Sequence, residues 1–138
     1  MKKYIIDTNA LISFVTDRNL AQQEIVAPLF DAASRLKCSL ICHQSVLTEF
    51  VFVMEKVYGM PKEKINTMLN DFVTMPGVEI LQQTDFKTVL SLWPAVVTDY
   101  GDALVAAAAK KVKGATVVTF DIKFKSALKK MGLENDGV

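Results

Sequence analysis

The amino-acid sequence predicts an α/β fold, a three-layer sandwich in which helices flank a central, mainly parallel sheet. Four short apolar runs alternate with longer segments whose apolar residues recur at helical spacing, and this alternation is typical of parallel sheets with helical crossovers. A length of 138 residues and an apolar content of 51 % are enough for one buried core. The sequence shows no linker, repeat or low-complexity segment, so we expect one domain over residues 1–138.

The four predicted strands cover residues 4–6, 39–42, 78–81 and 115–120. Between them, apolar periodicity and breaks at proline and glycine predict helices that begin near residue 10 and near residue 20, after a polar break at 17–19. Further helices are predicted over 44–58, from Pro61 to the Pro76-Gly77 pair, over 85–93, 99–113 and 122–131. Each strand is therefore followed by at least one helix.

Composition restricts the class of protein and its compartment. No apolar run reaches the roughly 20 residues of a membrane helix, so we expect a cytoplasmic protein without membrane association. Cys38 and Cys42 fall four residues apart in one predicted strand, about 13 Å, which is too far for a disulfide. We interpret them as buried apolar residues of a reducing compartment.

Sixteen basic and fifteen acidic residues leave the net charge uninformative about partners. Their distribution is more informative, because seven lysines fall within a segment whose only acid is Asp121: Lys110, Lys111, Lys113, Lys123, Lys125, Lys129 and Lys130. This segment predicts a locally positive end that suits a polyanion, although a solvated helix surface explains lysines equally well.

Two acids follow predicted strands directly. Asp7 comes after the first strand, and Asp121 comes after the strand at 115–120. In open α/β sheets the functional crevice lies beyond the carboxyl ends of the strands, so both side chains should project from the same edge of the sheet. Each could also serve only as a helix N-cap.

Two further acids lie in helices with apolar surroundings. The helix around Glu49 carries apolar residues on nearly every side and is predicted to be largely buried, and Asp102 precedes an alanine-rich segment. A lone carboxylate in such surroundings would cost several kcal/mol or shift its pKa upward. Several acids with few basic partners indicate a divalent metal site, while Glu49 reaching solvent and Asp102 complementing a helix dipole remain the alternatives.

Four short motifs resemble those of the PIN-domain family, most closely its VapC-like toxins. They are Asp7-Thr8-Asn9, Thr48-Glu49-Phe50, Gly101-Asp102-Ala103-Leu104, and Thr119-Phe120-Asp121 with Phe124 shortly after. Their order and spacing extend the resemblance over essentially the whole chain. The region from Pro61 to Pro94 carries no motif of the family.

The resemblance implies an endoribonuclease that uses Mg²⁺ or Mn²⁺, forms a homodimer and is held inactive by an antitoxin protein. Asp7, Glu49, Asp102 and Asp121 would be its catalytic and metal-binding acids. Thr8, Asn9 and Thr119 would orient carboxylates or waters. These three polar residues stand at motif positions.

Two residues near the motifs, Asp99 and His43, have a structural and a functional interpretation. For Asp99 an N-cap is favoured over an auxiliary acid, and for His43 a capping or surface role is favoured over a general base. Three other functions are alternatives: a catalytically inactive PIN scaffold or RNA-binding module, an aspartate-dependent phosphatase, and a phospho-acceptor domain. A phosphatase would need a second acid where this sequence has Asn9, and a phospho-acceptor domain would need an acidic pair where Asp7 stands alone.

Overall fold

The computed structural model describes residues 1–136, which form five strands and seven helices. The strands are β1 (Lys2–Ile6), β2 (Cys38–His43), β3 (Val78–Leu81), β4 (Thr116–Val118) and β5 (Glu134–Asp136). The helices are α1 (Thr8–Val15), α2 (Leu20–Ser34), α3 (Gln44–Lys56), α4 (Lys62–Val73), α5 (Phe86–Leu92), α6 (Tyr100–Lys111) and α7 (Ile122–Lys130).

Within the described residues the strands form one parallel sheet in the order β3-β2-β1-β4-β5. From β1 the chain builds outward through β2 and β3 and then crosses back to place β4 on the other side of β1. Such a reversal of strand order opens a crevice beyond the carboxyl ends of the two central strands. The predicted fold class is confirmed, and the crevice lies at the ends of β1 and β4.

The four predicted strands are present with small shifts at their ends, but the sheet has a fifth strand that was not predicted. β5 has the polar sequence Glu134-Asn135-Asp136, which carries no apolar signal. It forms because its backbone pairs with the open edge of β4, where Thr116 lies opposite Glu134. The Thr116 hydroxyl also donates to Glu134 Oε2 at 3.1 Å. The expectation of four strands was therefore wrong at the edge of the sheet.

Helix α6 packs against the centre of the sheet, on β1, β2 and β4. Five of its alanines are buried, and their small side chains allow the helix to lie close to the strands: Ala103, Ala106, Ala107, Ala108 and Ala109. The first turn of α6, which carries Asp102, is thereby held near the carboxyl ends of the central strands.

Both cysteines are buried and unpaired, as the sequence predicted. Burial raises the pKa of the Cys42 thiol to about 12, and the negative charge of Asp7 contributes. Cys42 is therefore a neutral, apolar part of the core. Over residues 1–136, no helix combines the length and the hydropathy that a membrane crossing requires.

Gly77, just before β3, allows this segment to lie directly against α2. A Cβ at position 77 would lie 2.8 Å from the carbonyl carbon of Ala33 and 2.9 Å from its Cα. These are main-chain atoms of a helix and cannot move independently. We predict that Gly77→Ala lowers the free energy of unfolding by about 1–3 kcal/mol, measured by urea denaturation.

The same substitution at Gly101 is a matched control. There a Cβ would meet only carboxylate oxygens, Asp99 Oδ1 at 3.1 Å and Glu49 Oε2 at 3.4 Å, which end rotatable side chains. Because alanine is favoured over glycine inside a helix by roughly 0.5–1 kcal/mol, Gly101→Ala should keep or slightly raise stability. Equal losses in both variants would contradict the packing argument for Gly77.

Candidate active site

A cleft of about 860 Å³ opens where β1 and β4 end. All four acids predicted from the sequence line it: Asp7, Glu49, Asp102 and Asp121. Asp7 and Asp121 arrive from the ends of the two central strands, Glu49 from α3 and Asp102 from the first turn of α6. Asp99 is a fifth acid in the lining. Residues separated by more than 100 positions in the sequence are thus brought into one concave site.

Asp7 is the most deeply placed of these acids, with 5 % of its surface exposed. Its Oδ1 accepts from the Thr8 backbone N–H at 2.8 Å, and its Oδ2 accepts from the Thr119 hydroxyl at 2.7 Å and from Asn9 Nδ2 at 3.1 Å. An ionised carboxylate has about four acceptor positions, so three bonds orient the group and leave capacity for a cleft ligand. Asp7 caps α1 and faces the cleft at the same time.

Asn9 ties the end of β1 to the end of β4. Its Nδ2 donates to Thr119 Oγ1 at 2.9 Å as well as to Asp7, and its Oδ1 accepts from the Phe120 backbone N–H at 2.8 Å. Thr119 Oγ1 in turn accepts from the Asp121 backbone N–H at 3.2 Å. Asn9 and Thr119 therefore fix the position of Asp7 relative to Asp121.

Asp121 and Asp99 are both N-caps. Asp121 Oδ1 accepts from the Phe124 backbone N–H at 3.1 Å, and Asp99 Oδ1 accepts from the Asp102 backbone N–H at 2.9 Å. The prediction that Asp99 caps α6 is confirmed. The cap also places its carboxylate in the cleft, so capping and an auxiliary role at the site are compatible.

Helix α3 is less buried than the sequence suggested, and this corrects the expectation for Glu49. Only Val46, Phe50 and Met54 are buried in α3, whereas Phe52 is 61 % exposed. Glu49 lies on the open side of the helix and reaches the cleft. The apolar residues of α3 outnumber its core positions, so composition alone overstated the burial.

Burial and mutual repulsion raise the pKa of three of the acids. Loss of hydration is the largest cause and raises the pKa of Asp7, and the negative charges of Asp121 and Asp99 raise it further. The hydrogen bonds from Thr119 and Thr8 act in the opposite direction and lower the pKa of Asp7. Partial desolvation, then Asp7 and Asp99, raise the pKa of Glu49, whereas the hydroxyl of Thr8 lowers it.

The pKa of Asp102 lies far above the ordinary value of 3.8. Desolvation is the largest cause, followed by the negative charges of Asp7, Asp99, Asp121 and Glu49, and together they raise the pKa of Asp102 to about 8. Because the carboxylates of the cleft repel one another, a bound cation would stabilise them.

The donor set of the cleft suits a hard divalent cation. Its acids offer carboxylate oxygens, and neither a cysteine nor the single histidine of the chain is in its lining. Oxygen ligands of this kind select Mg²⁺ or Mn²⁺ over soft metals. Over residues 1–136, no group of three or more acidic, imidazole or thiol side chains is placed so that these side chains could hold a metal ion. An open arrangement fits Mg²⁺, which retains several of its waters in protein sites.

Three cations line the rim of the same cleft: Arg18, Lys123 and Lys130. Two of them come from the lysine-rich segment noted in the sequence. That segment does not form a single patch, because Lys111 lines a separate cavity and pairs with Asp85 there at 2.8 Å. The arginine was not predicted, since it falls in the polar break between α1 and α2 and no local pattern marks it.

His43 lies outside this cleft. It is 3 % exposed and caps α3, with Nδ1 bonded to the Ser45 backbone N–H at 3.1 Å and Nε2 2.8 Å from the Thr84 hydroxyl. Burial lowers the pKa of His43. The predicted capping role is confirmed, and the structure gives His43 no contact with the acids.

The sequence pattern that defines the PIN domain matches residues 4–130. This chain belongs to the PIN domain family. The match includes all four acidic motifs, so the PIN domain's central strands and cleft both lie within it. No curated protein matches the PIN domain of this chain significantly.

Solved structures share the fold of this PIN domain at low sequence identity. VapBC2 from Rickettsia felis, bound to a promoter DNA fragment, gives a TM-score of 0.69 at 19 % identity, with 97 % of each chain covered. VapBC-1 from nontypeable Haemophilus influenzae gives a TM-score of 0.64 at 14 % identity, with 97 % of this chain and 96 % of that chain covered. The PIN domain endonuclease Utp24 gives a TM-score of 0.57 at 20 % identity, with 96 % of this chain and 82 % of that chain covered. At these identities the likeness shows a shared fold, and one of these structures, Utp24, is itself a PIN domain endonuclease.

Proposed function

We propose that this PIN domain is a divalent-metal-dependent endoribonuclease that hydrolyses RNA phosphodiester bonds. The observation that carries the proposal is the convergence of Asp7, Glu49, Asp102 and Asp121 in one cleft at the reversal of strand order. Individually these acids could be caps or solvated charges. Their shared cleft, and the raised pKa of Asp7, Glu49 and Asp102, support a common cationic ligand.

Asp7 and Asp102 would hold the cation, since Asp7 is oriented by three hydrogen bonds and burial and the neighbouring acids raise the pKa of Asp102 to about 8. A divalent ion, when bound, supplies positive charge at the phosphate and lowers the pKa of the attacking water. Glu49 and Asp121 would complete the oxygen set or orient that water. Asn9 and Thr119 keep Asp7 in place.

The rim cations support a polyanionic substrate. Lys123 and Lys130, on α7, line the cleft beside the acids, where they can neutralise phosphates on either side of the scissile one. Contacts of this kind carry most of the affinity for nucleic acid and weaken as salt concentration rises. The substrate would thus bind by its backbone while the acids act on one phosphate.

A cleavage assay tests the proposal. The purified chain is incubated with labelled single-stranded RNA in EDTA, and Mg²⁺ or Mn²⁺ is then restored. We predict no cleavage in EDTA and cleavage after either ion is restored, with products that end inside the RNA rather than single nucleotides. RNA that stays intact with both ions, while Mn²⁺ binds, would favour an inactive scaffold. Cleavage that persists in EDTA would refute metal dependence.

We also propose a toxin role, with a cognate antitoxin, a homodimer and a cytoplasmic location. The similar VapBC structures support the antitoxin. Apolar side chains left open on α3 and α5 support protein contacts, since Phe52 is 61 % exposed and Phe86 and Leu90 are each 58 % exposed. An aspartate-dependent phosphatase is disfavoured, because Asn9 occupies the place of its second acid and uses its amide to join β1 to β4.

A further inference from the structure

A shallow cavity of about 430 Å³ adjoins the acidic cleft. We call it the amide pocket and define it by its lining: Asn9, Arg18, Asn19, Gln22, Phe120 and Asp121. Asn9, Arg18 and Asp121 line the acidic cleft as well, so the two cavities are neighbours on the same face of the protein. A chain that lies in the cleft can therefore extend into the amide pocket.

A directed chain of hydrogen bonds fixes the amide of Gln22. Arg18 Nε donates to Ser13 Oγ at 3.1 Å, and Ser13 Oγ donates to Gln22 Oε1 at 2.7 Å. Because a guanidinium group can only donate, the Ser13 hydroxyl must accept from Arg18 and has its single hydrogen left for Gln22. Ser13 is fully buried, so water does not compete for these positions. Gln22 Oε1 therefore accepts from Ser13, and Gln22 Nε2 has no hydrogen-bond partner among the described residues.

Other N–H groups of the amide pocket are also left unused. Arg18 Nε donates to Ser13, and one N–H of Nη2 donates to the Asn9 carbonyl at 2.8 Å. Three of the five N–H donors of Arg18 are therefore available to a ligand. Asn19 Oδ1 accepts from the Gln22 backbone N–H at 3.1 Å as the cap of α2, which leaves its Nδ2. The half-buried ring of Phe120 lies in the same lining.

This chemistry matches one nucleotide of an RNA strand. Guanidinium N–H groups bind phosphate oxygens, amide N–H groups bind acceptor atoms on a base edge, and an aromatic ring offers a surface for stacking. We propose that the amide pocket binds the nucleotide next to the scissile phosphate. Arg18 binds its phosphate, and Gln22 and Asn19 donate to its base beside Phe120. The inference rests on the proposed ribonuclease function and adds a base-selecting subsite to it.

The unused donors predict which bases fit. Cytosine presents two neighbouring acceptors, N3 and O2, and uracil presents two carbonyl oxygens, whereas each edge of adenine presents one acceptor beside its N6 amino group. Two pocket donors can therefore both be satisfied by either pyrimidine, while adenine leaves one of them unpaired. The amide pocket should therefore favour cytosine or uracil over adenine by about fivefold or more, the size of one hydrogen bond gained against one donor left unpaired.

Gln22→Glu tests this directly, because it keeps the oxygen bonded to Ser13 and replaces only the free amino group by a second oxygen. Binding of fluorescent C12, U12 and A12 RNA is measured by anisotropy in EDTA with 1–138 chains that also carry Asp102→Asn, a change that lies outside the pocket and is expected to slow cleavage strongly. Ala21→Glu adds the same charge at an exposed position of α2 that does not line the pocket. Thermal unfolding verifies that each variant is folded.

We expect Gln22→Glu to lower the ratio of C12 or U12 affinity to A12 affinity by about fivefold. Ala21→Glu should weaken all three RNAs alike and leave the ratios unchanged. Arg18→Met should weaken all three RNAs and reduce the salt dependence by about one phosphate contact, and it should also narrow the base preference, because it removes the bond that directs the Ser13 hydroxyl to Gln22. Together these results separate base selection from general charge.

Equal effects of Gln22→Glu and Ala21→Glu, or a parent protein that binds the three RNAs equally, would overturn the subsite. In that case a wild-type chain that still cleaves RNA with Mn²⁺ keeps the proposed function. A wild-type chain that neither binds nor cleaves RNA would remove the proposed function, and the subsite with it.

Discussion

Asp7→Asn and Asp102→Asn should each slow metal-dependent RNA cleavage by at least about 10²-fold, the scale on which lost metal-site contacts act. Each change removes one negative oxygen from the acidic cleft and leaves the shape of the side chain nearly intact. Mn²⁺ affinity, measured by calorimetry, should fall at least tenfold in both variants. Because neutral asparagine resembles protonated aspartate, Asp102→Asn should not lose stability without metal, whereas Asp7→Asn loses one oxygen that accepts hydrogen bonds, so thermal unfolding must verify that it is folded.

Asp17→Asn is the control for these two variants. Asp17 is exposed in the polar break between α1 and α2 and does not line the cleft. Its replacement should change neither cleavage nor Mn²⁺ binding. If Mn²⁺ binds equally to the parent, Asp7→Asn and Asp102→Asn, the two acids do not share a metal, and Asp7 would serve only as the cap of α1.

The metal-free protein should become less stable as the pH rises from 6.5 to 8. The folded-state pKa of Asp102 is about 8, far above its ordinary 3.8, so between these values the folded chain binds a proton that the unfolded chain has lost. Stability then falls as pH increases, by up to about 1.4 kcal/mol per pH unit for one group. Asp102 is partly open to solvent, and a total near 1 kcal/mol over this window is the expected size.

Urea denaturation in EDTA at pH 6.5 and pH 8 measures this loss. The lower limit of this pH range is 6.5 because of His43. Burial lowers the pKa of His43, so the folded protein loses stability relative to the unfolded chain when the pH falls below the ordinary histidine value of 6.5. Asp102→Asn should flatten the dependence, since the titrating group is gone. A parent protein that gains stability toward pH 8 would show that Asp102 is ionised without a cation.

Mn²⁺ affinity should have the opposite dependence on pH. A cation binds the ionised carboxylate and must displace the proton of Asp102, so its affinity should rise about tenfold per pH unit below 8 and level off above that value. Calorimetry in buffers of different ionisation enthalpy would count the released protons. Affinity that is constant from pH 6.5 to 8 would indicate that Asp102 is not a ligand.

Most elements of the fold could be predicted from local patterns. Apolar runs predicted β1 to β4, and breaks at glycine, proline and polar residues placed the helices, with errors of a few residues at their ends. β5 was missed because its stability comes from pairing with β4 and not from its own residues. The burial of α3 was overstated because apolar composition does not reveal which face has a partner.

Taken alone, the sequence predicted the fold class, the order of every element except β5, and the four acids that the structure brings together in the cleft. Asp7 and Asp121 follow strands, and Asp102 precedes a run of alanines, so local position was informative. Only the tertiary structure decided how Asn9 joins the two strand ends, which lysines reach the cleft, and that Arg18 and Gln22 share a pocket beside it. These features depend on contacts between residues distant along the chain. Strand and helix patterns are local, and they carry no record of such contacts.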